Sequence, residues 1–315
     1  MNHIILAFRV VFPLMFMMSV GYLLNRIRLT DDHSLNVMNK LIFRVFLPLL
    51  LFLNIYSLKP EDAFNHENIR LLIYAAICVI STILILHLIV SALVKDKKKG
   101  SVIIQGIFRS NLILFGIAIA SSIYGPNHIG KVSLLAAFIV PLYNILAVIL
   151  LEYYRGGKVN YKQLIINILK NPLIIAAIFA FLLLILRIEL PDFLLVPISD
   201  MSKISTPLAF IVLGATFRFS RLAGNMKYLI AVVLGKLIVM PAFVLLFAIL
   251  FNFQGEALLA LLGAFASPTA VSSFTMAKEM DADGELAGQI VVFTSIISIL
   301  TIFIWIILLK YINFI

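Results

Sequence analysis

The chain alternates long apolar runs with short polar connections. Runs long enough to span a membrane fall near residues 4 to 24, 34 to 57, 68 to 94, 101 to 123, 129 to 152, 164 to 187, 192 to 217, 225 to 251, 256 to 278 and 284 to 310. A helix needs about 20 predominantly apolar residues to cross a hydrocarbon core. The pattern therefore predicts ten transmembrane helices joined by short loops, an all-α membrane protein with no soluble domain. Five runs lie in residues 1–157 and five in residues 158–315. An odd number of crossings per half turns the second half upside down, which predicts an inverted 5+5 repeat with these halves as its two domains.

Two runs are interrupted at matching places. Gly106-Ile107-Phe108-Arg109-Ser110-Asn111 in span four is answered 157 positions later by Gly263-Ala264-Phe265-Ala266-Ser267-Pro268 in span nine. Pro268 has no N–H to donate and its ring clashes with the preceding turn, so a helix there must open. Inside lipid an opened backbone is tolerated only when buried in protein or facing a water-filled cavity. Ser267 as N-cap and Pro268 as first helical residue predict a second half-helix starting there, and Ser110 or Asn111 can do the same job in span four. Two half-helix N-termini meeting at mid-membrane form an anion site from their partial positive charges. The competing reading is a simple proline kink with no ligand, and the second copy at equivalent depth weighs against it. Further matches support the repeat: Asn68 to Ile73 answers Asn225 to Ile230 at 157, while Pro13 answers Pro172 and Pro48 answers Pro207 at 159. The two-residue shift marks a seam between spans two and three.

Composition narrows the class further. A chain of 315 residues that is 63% hydrophobic, 13% charged and has a mean hydropathy of +1.11 is no water-soluble globular domain. The first span carries Arg9 and Pro13 and lacks a basic leader and a small-residue cleavage site, so it is expected to remain as a span. Cys78 is the single cysteine and forms no intrachain disulfide. The net charge of +10 reflects where the basic residues lie rather than a nucleic-acid partner. Arg26 and Arg28, Lys95 and Lys97 to Lys99, Arg155, Lys158, Lys162 and Lys170, and Arg218, Arg221 and Lys227 follow spans one, three, five and seven; the opposite loops hold little beyond Lys59, Lys131 and Arg187. The positive-inside rule then puts the odd-numbered loops in the cytoplasm and both termini outside the cell membrane. The loop with Asp281, Asp283 and Glu285 falls on the cytoplasmic side, where acidic residues count little.

Four cations lie near span centres: Arg44, Arg109, Lys203 and Lys236. A basic group at the bilayer centre costs about 2.5 to 3.5 kcal/mol, so four facing lipid would cost on the order of 10 kcal/mol. They are expected to face protein, water or a ligand. Asp200, three residues before Lys203, is the clear acidic partner within the spans, and the pair reads as structural. Arg44 and Lys236 read equally as snorkelling groups or ligand groups. Arg109, two residues from Asn111, is the candidate ligand cation. His87 reads as a packed or interfacial histidine, and Asp281 to Glu285 as a helix-capping linker lacking the later ligands of a calcium loop. Lys95 to Lys99 read as a topology signal that also suits anionic lipid. Tyr22, Tyr56, Tyr124, Tyr153, Tyr154, Tyr311 and Trp305 fit an interfacial belt.

The whole chain resembles the auxin efflux carrier family and its bacterial members described as malate or malonate permeases. The residues that carry the resemblance are Gly21 with the basic segment after it, Leu47-Pro48 with its apolar run, Arg109-Ser110-Asn111 with Phe115-Gly116 and Tyr124-Gly125, and Ala266 to Ala270. The resemblance implies a fold similar to the sodium and bile-acid symporters, with spans four and nine crossing where each is unwound. It further implies a scaffold of spans one, two, six and seven, a transport core of the rest, elevator movement, a homodimer, and a substrate carboxylate held near Asn111 and Pro268. Ile117 stands where many relatives carry proline, and the core spans lack an obvious buried carboxylate for coupling to protons or sodium. Carbonyls and the hydroxyls of Ser267, Thr269, Ser272 and Ser273 remain available to sodium.

The expectation is a secondary or facilitative carrier of small organic anions, mono- or dicarboxylates of the auxin or malate kind. Arg109, Ser110, Asn111, Ser267, Pro268, Thr269 and Ser272 are the expected substrate-binding residues. Membrane lipids are the other partners. A sodium-coupled symporter of bile-acid-like substrates and a non-transporting membrane sensor are the alternatives. No His-x-x-x-His, aspartate pair or cysteine cluster points to an enzyme, a metal or a cofactor.

Overall fold

The computed structural model describes residues 2–57, 65–125, 128–155, 161–218 and 222–315, with side chains described from residue 11 and from residue 162 in the helix that starts at 161. The side chain of Arg9, and Lys59, Lys158 and Arg221, lie outside the described residues. Everything regular among the described residues is helical: α1 (Asn2–Arg26), α2 (Asp32–Tyr56), α3 (His66–Leu93), α4 (Lys97–Phe108), α5 (Leu112–Tyr124), α6 (Gly130–Tyr154), α7 (Tyr161–Leu169), α8 (Pro172–Ile185), α9 (Asp192–Thr216), α10 (Leu222–Leu250), α11 (Gly255–Ala266), α12 (Ser272–Glu279) and α13 (Gly284–Tyr311). Seven stretches are long and apolar enough to cross a membrane, namely α2, α3, α4 with α5, α6, α9, α10 and α13. The pair α7 and α8, bent by 65° at Asn171-Pro172, makes an eighth when taken as one span.

Short polar residues set the helix starts. Asp31 and Ser34 form a reciprocal capping box on α2, Asn65 caps α3, Asp96 caps α4 and Asp283 caps α13 through Leu286 N. Each side-chain oxygen takes up an N–H that the first turn leaves without a partner. Prolines remodel the interiors. In α2 and α10 one turn widens to π geometry, Ile42–Phe46 ahead of Pro48 and Gly235–Val239 ahead of Pro241. Leu47 N reaches back five residues to Ile42 O, and Met240 N to Gly235 O, so the ladder steps around the N–H the proline lacks. Arg44 and Lys236 both sit on these widened turns.

Two groups of helices result. α1 lies along α9, and α2 packs on α8 and α9; the other group centres on α11, which contacts α5, α6 and α10, with α13 against α10 and α12. α11 is buried on every side from Ala257 to Ala266, as an apolar helix at the heart of a bundle must be. α3 instead turns Ile73, Ile77, Leu84 and Leu88 outward, an apolar face suited to lipid. α1 and α9 approach so closely that a Cβ on Gly21 would lie 1.9 Å from Ile211 O, and one on Gly214 1.9 Å from Met18 O. Small residues allow backbones to meet where lipid offers no competing hydrophobic drive.

Candidate functional site

Both interrupted segments are breaks in helices, and they meet. α4 ends at Phe108 and α5 starts at Leu112; α11 ends at Ala266 and α12 starts at Ser272. Asn111 N donates to Pro268 O at 2.8 Å, joining one break directly to the other. The expected N-cap at Ser267 is corrected here. Ser267 closes α11 as its C-cap with φ −65° and ψ 151°, and the second half-helix begins only after Val271. The cause is Pro268, which forces the residue before it out of helical geometry and into an extended one. At the first break Asn111 does occupy the cap position, although its side chain makes no capping bond.

A cavity of about 160 Å³ opens beside the meeting point. One wall is the first break and the start of α5, Arg109 to Leu114, with Tyr143 and Asn144 of α6 and Ala270 to Ser272. The other wall is α2 through Leu47, Leu50, Leu51 and Asn54, and α9 through Ser205, Thr206 and Ala209. The cavity thus lies between the two helix groups. The α5 residues whose N–H groups have no partner inside their own helix, Leu112 to Leu114, all line it, and they bring the positive end of that helix to the cavity.

Arg109 dominates the electrostatics. Its side chain is 2% exposed and donates to Asn144 Oδ1 at 2.8 Å, Ser272 Oγ at 2.7 Å and Met276 Sδ at 2.9 Å. All three acceptors are neutral, and no described carboxylate pairs with it. Asn144 is itself oriented by its Nδ2 donating to Val140 O at 2.9 Å. Three atoms of cavity-lining residues, Arg109 Nε, Asn54 Nδ2 and Ser205 Oγ, are buried without a hydrogen-bond partner in the protein. A buried polar atom left in that state costs about 1 to 3 kcal/mol, more when charged. Two of the three are N–H donors, which suits a ligand oxygen.

The expected binding residues divide between two places. Arg109, Ser110, Asn111 and Ser272 line the cavity, while Ser267, Pro268 and Thr269 lie behind it and hold the crossing together. Ser267 Oγ donates to Gly263 O at 2.5 Å, Thr269 Oγ1 donates to Gly106 O at 2.6 Å, and Thr269 N donates to Thr294 Oγ1 at 3.2 Å. Asn54, Asn144 and Ser205 are cavity residues that sequence reasoning missed. Asn54 and Asn144 are isolated polar residues in apolar stretches and Ser205 lies among Ser202, Lys203 and Thr206, but nothing in the sequence told them apart from other polar residues within the spans.

The remaining central cations separate cleanly. Lys236 is 0% exposed and its Nζ donates to Ser110 Oγ. Lys203 is exposed and pairs with Asp200 at 2.8 Å, away from the cavity. Arg44 is exposed and lines a separate polar pocket with Glu152, Asn167, Lys170 and Glu279. Glu152 is a buried carboxylate that the sequence reading overlooked, held at the end of α6 by Arg155 and Asn167. His87 Nδ1 lies 2.7 Å from Tyr154 Oη, a packed position. No group of three His, Cys, Asp or Glu side chains gathers into a metal site among the described residues.

Apolar helices around a partly open cavity that holds a buried cation, at the junction of two broken helices, define a multi-pass membrane protein. The family model described as Membrane transport protein matches residues 6–306. The chain belongs to this family of transporters, that of the auxin efflux carriers. No curated protein matches the chain.

Proposed function

We propose that this transporter is a secondary or facilitative carrier of small organic anions, mono- or dicarboxylates, and that the cavity at the crossing is its substrate site. The observation that carries the reading is Arg109, a buried cation with neutral partners and an unpartnered Nε, lining a cavity between the first break and α2 with α9. A carboxylate there supplies the missing counter-charge and accepts from Arg109, Asn111 and the α5 N-terminus, with Asn54 and Ser205 across the cavity. Ser267, Pro268 and Thr269 serve by fixing the crossing rather than by touching the ligand. The volume favours a small substrate: a cavity of about 150 Å³ holds benzene, and this one is about 160 Å³.

The same reading takes the ten apolar runs as an inverted repeat, with α1, α2, α7, α8 and α9 as scaffold and the rest as a core that moves in elevator fashion. Its support is that the cavity lies between these groups and is lined by pairs 159 positions apart, Leu47 with Thr206 and Leu50 with Ala209. The homodimer and the cell-membrane orientation with both termini outside belong to this reading too. The test is tracer flux in proteoliposomes offered a panel of carboxylates, with and without sodium and a pH gradient. Uptake of a small carboxylate that Asn111→Ala abolishes, in protein that still folds and inserts, supports the reading. Failure of every carboxylate in the panel to move sinks it, and leaves a non-transporting sensor as the better account.

A further inference from the structure

Lys236 is the buried cation that the anion-carrier reading leaves without a task. It sits on the widened turn of α10 and its Nζ donates to Ser110 Oγ. That turn is packed by α4, α11 and α13. Their charged groups lie at the helix ends: Lys97 to Lys99 on α4, Glu256 on α11 bound to His128, and Glu285 and Lys310 on α13. Nearer are Arg109, which follows α4, and Tyr143, whose hydroxyl donates to Ala264 O at 3.0 Å. No described carboxylate pairs with Lys236.

Donor and acceptor counting then fixes what Ser110 can do. An ammonium only donates, whereas a hydroxyl has one proton to give and two lone pairs. With Lys236 on its oxygen, Ser110 directs its own proton elsewhere. Its protein acceptors are Ser267 O at 3.5 Å, beyond the usual range for an O–H donor, and the neutral hydroxyl oxygen of Tyr143. Ser110 also lines the cavity, where a carboxylate oxygen, being charged, is a stronger acceptor than either.

We propose that Lys236 is the residue that makes this site select anions: it holds Ser110 as a donor toward the cavity and places behind it a second positive charge that a bound anion compensates. The inference rests on the anion-carrier reading. Lys236 does not touch the ligand; it is a positioning residue acting through Ser110. A neutral ligand of the same shape gains the hydrogen bond but not the charge interaction, and a cation is refused by both buried cations.

The test uses the purified full chain and matched probes of like shape and different charge: acetate against acetamide, and succinate against succinamide. Binding is read as thermal stabilisation over a concentration series. Wild type is expected to bind a carboxylate at least tenfold more tightly than its amide. Lys236→Met is expected to lose tenfold or more in carboxylate affinity and to narrow the carboxylate-to-amide ratio. Ser110→Ala, which leaves the buried amine in place, is expected to lose a smaller factor with the carboxylate-to-amide ratio kept, and the double variant no more than Lys236→Met alone. If wild type discriminates and Lys236→Met keeps both affinity and ratio, the inference falls while the carrier reading stands. Losses that multiply in the double variant overturn the action through Ser110. Should Lys236→Met not fold, undiminished carboxylate affinity in Ser110→Ala overturns the inference by itself. If wild type binds neither carboxylate, the carrier reading and the inference fall together.

Discussion

At the first break Arg109, Ser110 and Asn111 all line the cavity; at the second, Ser267 and Thr269 turn their hydroxyls onto Gly263 O and Gly106 O behind it. The two segments correspond position by position at 157 residues, yet one lines the cavity and the other ties α11 to α4. Pro268 makes the difference. It holds Ser267 extended, removes an N–H from the second break and gives its carbonyl to Asn111 N. The first break has no proline and restarts its helix at once, so the free N–H groups of α5 come to the cavity wall. Equivalence in a repeat is therefore no guide to equivalence in function; what each polar atom already bonds to decides its part.

The largest effect expected to sharpen this contrast is at Arg109. Removing a buried, hydrogen-bonded charge partner costs at least about 2 kcal/mol, so Arg109→Ala should weaken carboxylate binding roughly 30-fold or more, measured by titration of the purified protein. Thr269→Val should act on the other side of the comparison. It strands Gly106 O and should cost about 1 to 3 kcal/mol of stability, seen as a lowered Tm, with carboxylate affinity little changed in the protein that remains folded. Asn144→Ala removes an acceptor that orients Arg109 from α6. A hydrogen bond to a charged group is worth about 1.5 to 3 kcal/mol net, so affinity should fall by roughly tenfold while Tm moves less than in Thr269→Val.

The smallest effect lies far from both breaks and serves as their control. Hydrogen bonds from Ser34 hold the Asp31 carboxyl below its ordinary value. Its ionised form therefore stabilises the folded state above the ordinary carboxylate range, and that stabilisation is lost as pH falls through the lowered value. Wild type should lose slightly more Tm on acidification than Asp31→Asn, with no change in carboxylate binding.

Much of the helical layout was legible because apolar runs of membrane length are a strong, local signal. Each of the ten runs falls on one helix or on a pair separated by a short break. The breaks were legible from Pro268 and from its echo at Arg109-Ser110-Asn111. Caps were read less well. Ser267 before a proline is a good N-cap by composition, but the conformation that Pro268 imposes on it also ends the preceding helix, and here that ending prevails. The opposite wall of the cavity was illegible for a different reason. Asn54 and Ser205 stand on α2 and α9, more than 50 positions from either break on its own side of the chain, and their relevance arises only when the two helix groups pack. Of the four central cations the sequence singled out Lys203 by its Asp200 neighbour and Arg109 by its place in the break, but it left Arg44 and Lys236 alike. Burial and partners divide the four into Arg109 and Lys236 at the crossing, Lys203 in a surface pair, and Arg44 at a separate pocket.

The most direct test of the central claim is a structure of the full chain determined with a bound small carboxylate taken from the flux panel. The account predicts ligand density in the cavity, with carboxylate oxygens within hydrogen-bond reach of Arg109 and Asn111 and the far side against Asn54 and Ser205. Density seated instead on Ser267 and Thr269, with Arg109 left out of contact, would contradict it.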